Sequence, residues 1–370
     1  MDHLVITDVR ARAVVAPLRR PIRTASGSIE ASPLVLLDVA TEQGVTGRAY
    51  LFAYTPVALQ PLLALARQLA PLLRGQLVVP LARQEQLERQ FRLLGMQGLL
   101  GMVISGLDMA FWDALGKAAG CHVATLLGGG PRPVRAYDSW GLVDVAKDAA
   151  ALAHSVALGF RGIKIKLGGA SLDHDLATVR EVRSIVGDTM ALMVDYNQSL
   201  TPGEAIRRVK ALDTFGLEWV EEPVAAEDLR GHAQVRSHAA TPIQTGENWW
   251  FPRDAERALT AGACDRMMPD LMKIGGVTGW LSVMGLARSA SMPVSSHLFI
   301  EASAHVLAVT PTCDWLEYMD FGSAVLRRPC PLVDGCVTAQ GPGLGIEWDE
   351  ATVARYEVTN DCSLALNSAQ

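Results

Sequence analysis

Apolar and β-branched residues run through Ile6–Val15 and Pro33–Thr41, and again through Val45–Leu51 after a Glu-Gln-Gly turn signal. Such runs predict three strands. The pattern then changes period. Over Pro56–Leu73 and Gln84–Leu93, and over a longer stretch from Leu99 to Ala119, the apolar residues recur at helical spacing. A small α+β unit is therefore expected first, ending where the chain turns through Gly128-Gly129-Gly130-Pro131.

Beyond that turn the sequence becomes rhythmic. Short β-type runs fall at Ala136–Trp140, Gly162–Lys166, Ala191–Asp195, Glu218–Glu221, Ile243–Gly246, Arg266–Pro269, Pro293–His297 and Trp315–Glu317. Helical stretches such as Asp173–Val186, Pro202–Phe215 and Gly279–Ser289 lie between them. Strands alternating with helices at this spacing predict an α/β barrel of the TIM type. A doubly wound sheet would compete, but no GxGxxG follows any of the strands. The expected organisation is a capping unit over 1–130, a barrel over 131–326, and a segment over 327–370 without clear periodicity that packs back on the capping unit.

With 49% hydrophobic and 19% charged residues in 370, the chain is too apolar for disorder. A net charge of −6 offers no basic face to nucleic acid or acidic lipid. The start, MDHLVITDVRARAVV, lacks a basic-then-apolar signal pattern, and polar residues break every apolar run. Neither a secretion signal nor a membrane span is predicted. The six cysteines form no CxxC and no dense framework, so buried free thiols in a reducing cytoplasm are expected.

The cations carry more information. Of 33 basic residues only six are lysines, and two of them, Lys164 and Lys166, are two positions apart. A strand would point both to one face. Repulsion and partial burial would then lower their pKa values, so that one could act as a base, as an arginine cannot. The polar residues at the strand ends are Ser139, Lys164, Lys166, Asp195, Asn197, Glu221, Glu247, Asp270, His297 and Glu317. From Asp195 onward the acids and the histidine follow one another at 26, 26, 23, 27 and 20 residues, about one strand plus helix each. They should meet at one mouth. Asp195, Glu221 and Glu247 give three carboxylates with no thiolate or imidazole, a hard donor set suited to Mg²⁺. Asp270, at the preceding strand end, can hold His297 in one tautomer and stabilise its protonated form.

The motifs Lys164-Ile165-Lys166, Val194-Asp195-Tyr196-Asn197, Glu221-Glu222-Pro223, Gly246-Glu247-Asn248, Pro269-Asp270 with Lys273-Ile274-Gly275-Gly276, Ser295-Ser296-His297 and Trp315-Leu316-Glu317 resemble the enolase superfamily, mandelate racemase subgroup. The likeness spans almost the whole chain. It implies a modified TIM barrel of (β/α)7β type under an N-terminal α+β cap, with Mg²⁺ (or Mn²⁺ in its place) on Asp195, Glu221 and Glu247. It implies that Lys166 and the His297–Asp270 dyad exchange the α-proton on opposite faces of a small 2-hydroxy carboxylate. Lys164 would neutralise the carboxylate, a protonated Glu317 would donate to the enediolate, and Ser139 and Asn197 would contact carboxylate and hydroxyl. Ile22, Ile29, Tyr54, Leu93, Leu298 and Met319 match an apolar pocket over the α-substituent, so a racemase of mandelate or a similar aryl 2-hydroxy acid is expected. An acid-sugar dehydratase is the alternative; it could use Arg23, Ser26 and Glu30, and Trp140 adds bulk beside Ser139. The resemblance also implies a homo-oligomer, an octamer.

Overall fold

A computed structural model describes residues 3–24 and 27–358. The first unit is a three-stranded antiparallel sheet, β1 (Ile6–Thr24), β2 (Gly27–Thr41) and β3 (Thr46–Phe52), in that order. The strands β1 and β2 run far beyond the expected Val15 and Pro33, down to the pairs Ile22↔Ile29 and Thr24↔Gly27. Their register breaks between Pro17 and Ile22. Pro17 and Pro21 lack the N–H a ladder needs, which explains both the break and why the sequence pattern hid the strand beyond it. Helices α1 (Pro56–Leu73), α2 (Pro80–Gln90) and α3 (Leu99–Ala118) follow. The sheet and α3 meet closely at Gly47, where a Cβ would lie 2.0 Å from the Ala110 carbonyl oxygen. Among the described residues α1 and α3 are long and apolar enough to cross a membrane, yet most of α3 is buried inside the fold.

After the short α4 (Val123–Leu126), parallel strands alternate with helices: β4 (Val134–Leu142), α5 (Val145–Ala157), β5 (Gly162–Lys166), α6 (Leu172–Val186), β6 (Ala191–Asp195), α7 (Pro202–Leu212), β7 (Val220–Glu221), α8 (Leu229–His238), β8 (Ile243–Thr245), α9 (Phe251–Ala261), β9 (Arg266–Met267), α10 (Gly276–Ser289), α11 (Ile300–Val309) and β10 (Leu316–Tyr318). Neighbours pair in sequence from β4 to β9, and β10 pairs with β4. Pro293–His297, expected as a strand, makes only isolated bridges, Met267↔Val294, Asp270↔His297 and Val294↔Cys313. These close the ring into a modified TIM barrel. Its interior is filled by Tyr137, Met193, Trp219, Met268 and Trp315, a packed core rather than a pore.

The final segment is more regular than its sequence suggests. A hairpin of β11 (Leu332–Val333) and β12 (Cys336–Val337) adds antiparallel to the start of β4. Helix α12 (Glu350–Tyr356) then returns to the first sheet, where Arg12 holds Glu350 at 2.5 Å. Among the described residues the cysteines are free thiols, with Cys264 and Cys330 buried and Cys121, Cys313 and Cys336 half-buried rather than fully enclosed; Cys362 lies outside the described residues.

Candidate active site

Strand register builds the mouth. Parallel pairing puts Lys166, Asp195, Glu221 and Gln244 in one row across β5 to β8, and Ser139 in register with Lys164. Glu247 follows β8 by two residues, and carboxylate oxygens of Asp195, Glu221 and Glu247 lie within 4.8 Å of one another. All three acids are buried. The chain leaves these strands through strained backbone, with positive φ at Asn197 (42°), Glu222 (33°) and Leu298 (53°), as is frequent around functional sites.

A base candidate stands at each end of the acidic row. The Lys166 ammonium donates to Asp195 at 2.8 Å and to the Asn197 side-chain oxygen. The His297 Nε2 is 3.3 Å from Glu247, while Nδ1 is 2.6 Å from Asp270. Asp270 is itself fixed by the Met272 N–H at 2.6 Å, so it can orient the ring. Behind the row, Lys164 lies between Glu221 at 2.5 Å and Glu317 at 2.8 Å. Glu317 also accepts from the Ser139 hydroxyl at 2.8 Å and the Leu298 N–H at 3.0 Å.

These contacts correct two electrostatic expectations. Burial does press Lys166 toward its neutral form, and Lys164 adds to that, but Asp195 and Glu247 outweigh both and raise its pKa. Lys164 is likewise pressed down by burial and carried well above the usual lysine value by Glu221 and Glu317. The acids facing the two lysines thus outweigh burial and the repulsion between the cations. Burial presses Glu317 toward its neutral form, but Lys164 and His297 outweigh it and hold the carboxyl down at about 2, so the donor role implied by the resemblance requires substrate to draw Lys164 away from it. His297 is lowered by burial but raised overall by Glu247, Glu317 and Asp270. Burial pushes Glu221 up to about 8, with Asp195 and Glu247 adding to it against Lys164. A cation among the three acids relieves that crowding. Three hard oxygen donors, with no sulfur or nitrogen among them, fit Mg²⁺.

The pocket residues divide. Ile22, Ser139 and Met319 line one cavity of about 420 Å³ between β1, β4 and α5, together with Arg20, Asp138 and Ser155, and none of Lys166, Asp195, Glu221, Glu247 and His297 lines it; Ile29 is the cross-strand partner of Ile22. The Tyr54 ring lies 4.8 Å under the Lys273 ammonium. Leu298 is buried in the core, and its N–H is the part that reaches Glu317. Leu93 is wholly exposed on the loop after α2 and lines no pocket in this conformation. The Arg23 guanidinium is taken up by the Leu142 carbonyl and Asp148, Glu30 is exposed, and Ser26 lies outside the described residues. One chain of side chains was missed. Buried Lys273 donates to Asn248 at 2.7 Å, and Asn248 donates to Glu222 at 2.8 Å and to Glu247 at 3.2 Å. All four sit in the motifs quoted above, but strand-end phase singles out only Glu247.

Comparison with known proteins agrees with this geometry. Residues 6–128 match the mandelate racemase / muconate lactonizing enzyme N-terminal domain, and residues 147–352 match the enolase C-terminal domain-like family. A crystal structure of an enolase from Bradyrhizobium complexed with magnesium and mandelic acid is 53% identical, with a TM-score of 0.95, covering 97% of this chain and 100% of that one. The D-galactarolactone cycloisomerase of Agrobacterium fabrum is 31% identical over 95% of this chain and 99% of its own length. The L-talarate/galactarate dehydratase of Salmonella typhimurium is 33% identical over 65% of this chain, and the match spans 62% of the dehydratase. Cap and barrel thus both find their counterparts in one lineage, and the chain belongs to the enolase superfamily, within the mandelate racemase group.

Proposed function

We propose that this enzyme racemises mandelate or a similar aryl 2-hydroxy acid by exchanging its α-proton between two bases. One observation carries the reading: Lys166 contacts one end of the acidic row, at Asp195, and His297 contacts the other, at Glu247. A carboxylate bound over that row lies between them. When bound, Mg²⁺ on Asp195, Glu221 and Glu247 supplies Lewis-acid stabilisation of the charge that develops on the substrate carboxylate. Lys164 adds a fixed positive charge behind the row, in a site where such charges act at low dielectric. Lys166 takes or returns the proton on one face. His297 does so on the other, with Asp270 fixing its tautomer and favouring its charged form. Ser139 and Asn197 orient the acid, and Glu317, protonated once Lys164 is engaged by substrate, donates a hydrogen bond to the developing enediolate. Ile22, Ile29, Tyr54 and Met319 form the side that receives the α-substituent, with Leu298 closing the floor.

The relatives named as dehydratase and cycloisomerase keep an acid-sugar reaction in view. Such a substrate needs partners for several hydroxyls, because buried polar groups left unpaired cost about 1–3 kcal/mol each. Arg23, the strongest candidate for that work, is already engaged by Leu142 and Asp148. The apolar Ile22–Ile29 pair at the end of the first sheet and the mandelic acid held by the Bradyrhizobium enzyme favour the aryl acid. The homo-octamer and a cytoplasmic setting belong to the same proposal, and light scattering tests the assembly. Incubation with single enantiomers of 2-hydroxy acids and acid sugars in D₂O with Mg²⁺ tests the reaction. Exchange with inversion and no loss of water supports the racemase; a keto product from an acid sugar overturns it.

A further inference from the structure

Beneath the mouth, two buried side chains serve one oxygen of one acid. Trp219 precedes Glu221 by two residues, so the period of the strand turns both toward the barrel interior, where Trp219 packs with Tyr137, Met193, Met268 and Trp315. Gln244 stands beside Glu221 in the register of β7 and β8. The Trp219 indole N–H donates to Glu221 Oε2 at 2.9 Å, and the Gln244 amide donates to the same oxygen at 3.2 Å. The other oxygen, Oε1, accepts from Lys164 at 2.5 Å. Trp219, Gln244 and Glu221 are all buried.

The orientation of Gln244 shows which partner governs it. Its Nε2 also reaches the Met268 sulfur at 3.2 Å, while its Oε1 has no hydrogen-bond partner among the described residues. Leaving a buried acceptor unpaired costs stability. Turning the amide over would set two acceptor oxygens against each other, so the donor stays on Glu221. Each carboxylate oxygen offers about two lone-pair sites. At Glu221 Oε2 both are taken, and at Oε1 one is left. The other two acids differ. Asp195 accepts once on each oxygen, from the Asn197 N–H at 2.7 Å and from Lys166 at 2.8 Å. Glu247 has one such contact on each oxygen, with Asn248 at 3.2 Å and His297 at 3.3 Å.

We infer that Trp219 and Gln244 are positioning residues that restrict Glu221 to one oxygen for the metal, and so set the preference of the site for Mg²⁺ over Ca²⁺. Mg²⁺ demands a small, near-octahedral shell, whereas Ca²⁺ takes more oxygens and accepts a carboxylate through both of its own. Freeing Oε2 turns Glu221 into a ligand of the second kind. Hydrogen-bond partners behind metal ligands typically carry tenfold to hundredfold in metal affinity. This preference goes beyond the proposed reaction and holds whichever carboxylic acid the enzyme turns over.

Two variants reach the same oxygen independently. Gln244→Met removes the amide donor at similar volume, and Trp219→Phe removes the indole N–H. Calorimetric titration of the metal-stripped enzyme, without substrate, with Mg²⁺ alone and with Ca²⁺ alone gives the ratio of the two affinities. The unaltered enzyme should favour Mg²⁺. In each variant Mg²⁺ affinity should fall about tenfold while Ca²⁺ affinity changes by less than about threefold. A variant that had merely lost packing would lose both ions alike. Equal losses, an unchanged Mg²⁺ affinity, or no preference in the unaltered enzyme would each overturn the inference. Should one variant fail to fold, as circular dichroism would show, the other decides. Racemisation is measured separately, so failure of the functional reading leaves this titration intact.

Discussion

The floor of the mouth and the wall that β1 and β2 raise beside it are built by opposite means. On the floor, strand register alone delivers Lys166, Asp195 and Glu221 side by side, and their charges then fix one another. Each side chain is set by the strand beneath it. The wall depends on contacts between parts of the chain more than a hundred residues apart, Arg20 with Asp138 and Arg23 with Leu142. On the proposed function, the floor would move the proton and the wall would select the acid that carries it. Changes on the floor should therefore stop turnover, and changes in the wall should alter selectivity.

The sharpest break comes from the acids. Asp195→Asn, Glu221→Gln or Glu247→Gln each removes a hard anionic ligand, and turnover should fall by about 10²–10³-fold or more, the scale lost with one electrostatic stabiliser. Calorimetric titration with Mg²⁺ should show weaker binding in each variant. Full activity in EDTA-treated enzyme would contradict a metal role.

The seam between cap and barrel gives a pH-dependent effect of intermediate size. Glu301 on α11 is buried and accepts from the Tyr50 hydroxyl on β3 at 2.8 Å, and burial raises its pKa from 4.5 to about 7. The folded state therefore holds this proton more tightly than the unfolded chain does. Its stabilising contribution is complete below about pH 4.5 and is lost as pH rises through about 7, on the order of 2–3 kcal/mol. Glu301→Gln keeps an acceptor for Tyr50 and carries no titrating proton, so denaturant unfolding should fall less steeply between pH 5 and 8 in the variant. Parallel curves would show that Glu301 carries no such load.

The wall should yield the smallest and most selective changes. Ile22→Ser should raise KM for mandelate about tenfold, the scale of one or two methylenes in an apolar pocket, with kcat little changed. Leu93→Ser should change neither constant beyond about twofold, because Leu93 is fully exposed. Equal effects from the two would mean that the 91–98 loop folds over the substrate.

The same contrast explains what the sequence disclosed. Gly162–Lys166 and Ala191–Asp195 are strands with the bounds their patterns predict, and the acids at strand ends lie together as their even spacing requires. Local periodicity reaches that far. It does not reach the second half of β1, masked by Pro17 and Pro21, nor α12, nor the Lys273–Asn248–Glu222 chain, whose members meet only once the barrel closes. It also misjudged Lys166, whose pKa Asp195 and Glu247 raise, because the pKa of a buried group depends on every charge facing it and not only on its neighbours in sequence.

The two-base claim has one direct test. Each pure enantiomer of mandelate is incubated in D₂O with Mg²⁺ and with His297→Asn or Lys166→Arg, and loss of the α-proton signal is followed by NMR. Neither variant should racemise, since inversion needs both bases. His297→Asn should exchange the α-proton of one enantiomer only, the one that presents it to Lys166, and Lys166→Arg, which keeps its charge but does not readily give up a proton, should exchange only the other. Exchange of both enantiomers, or of neither, by His297→Asn would contradict the account.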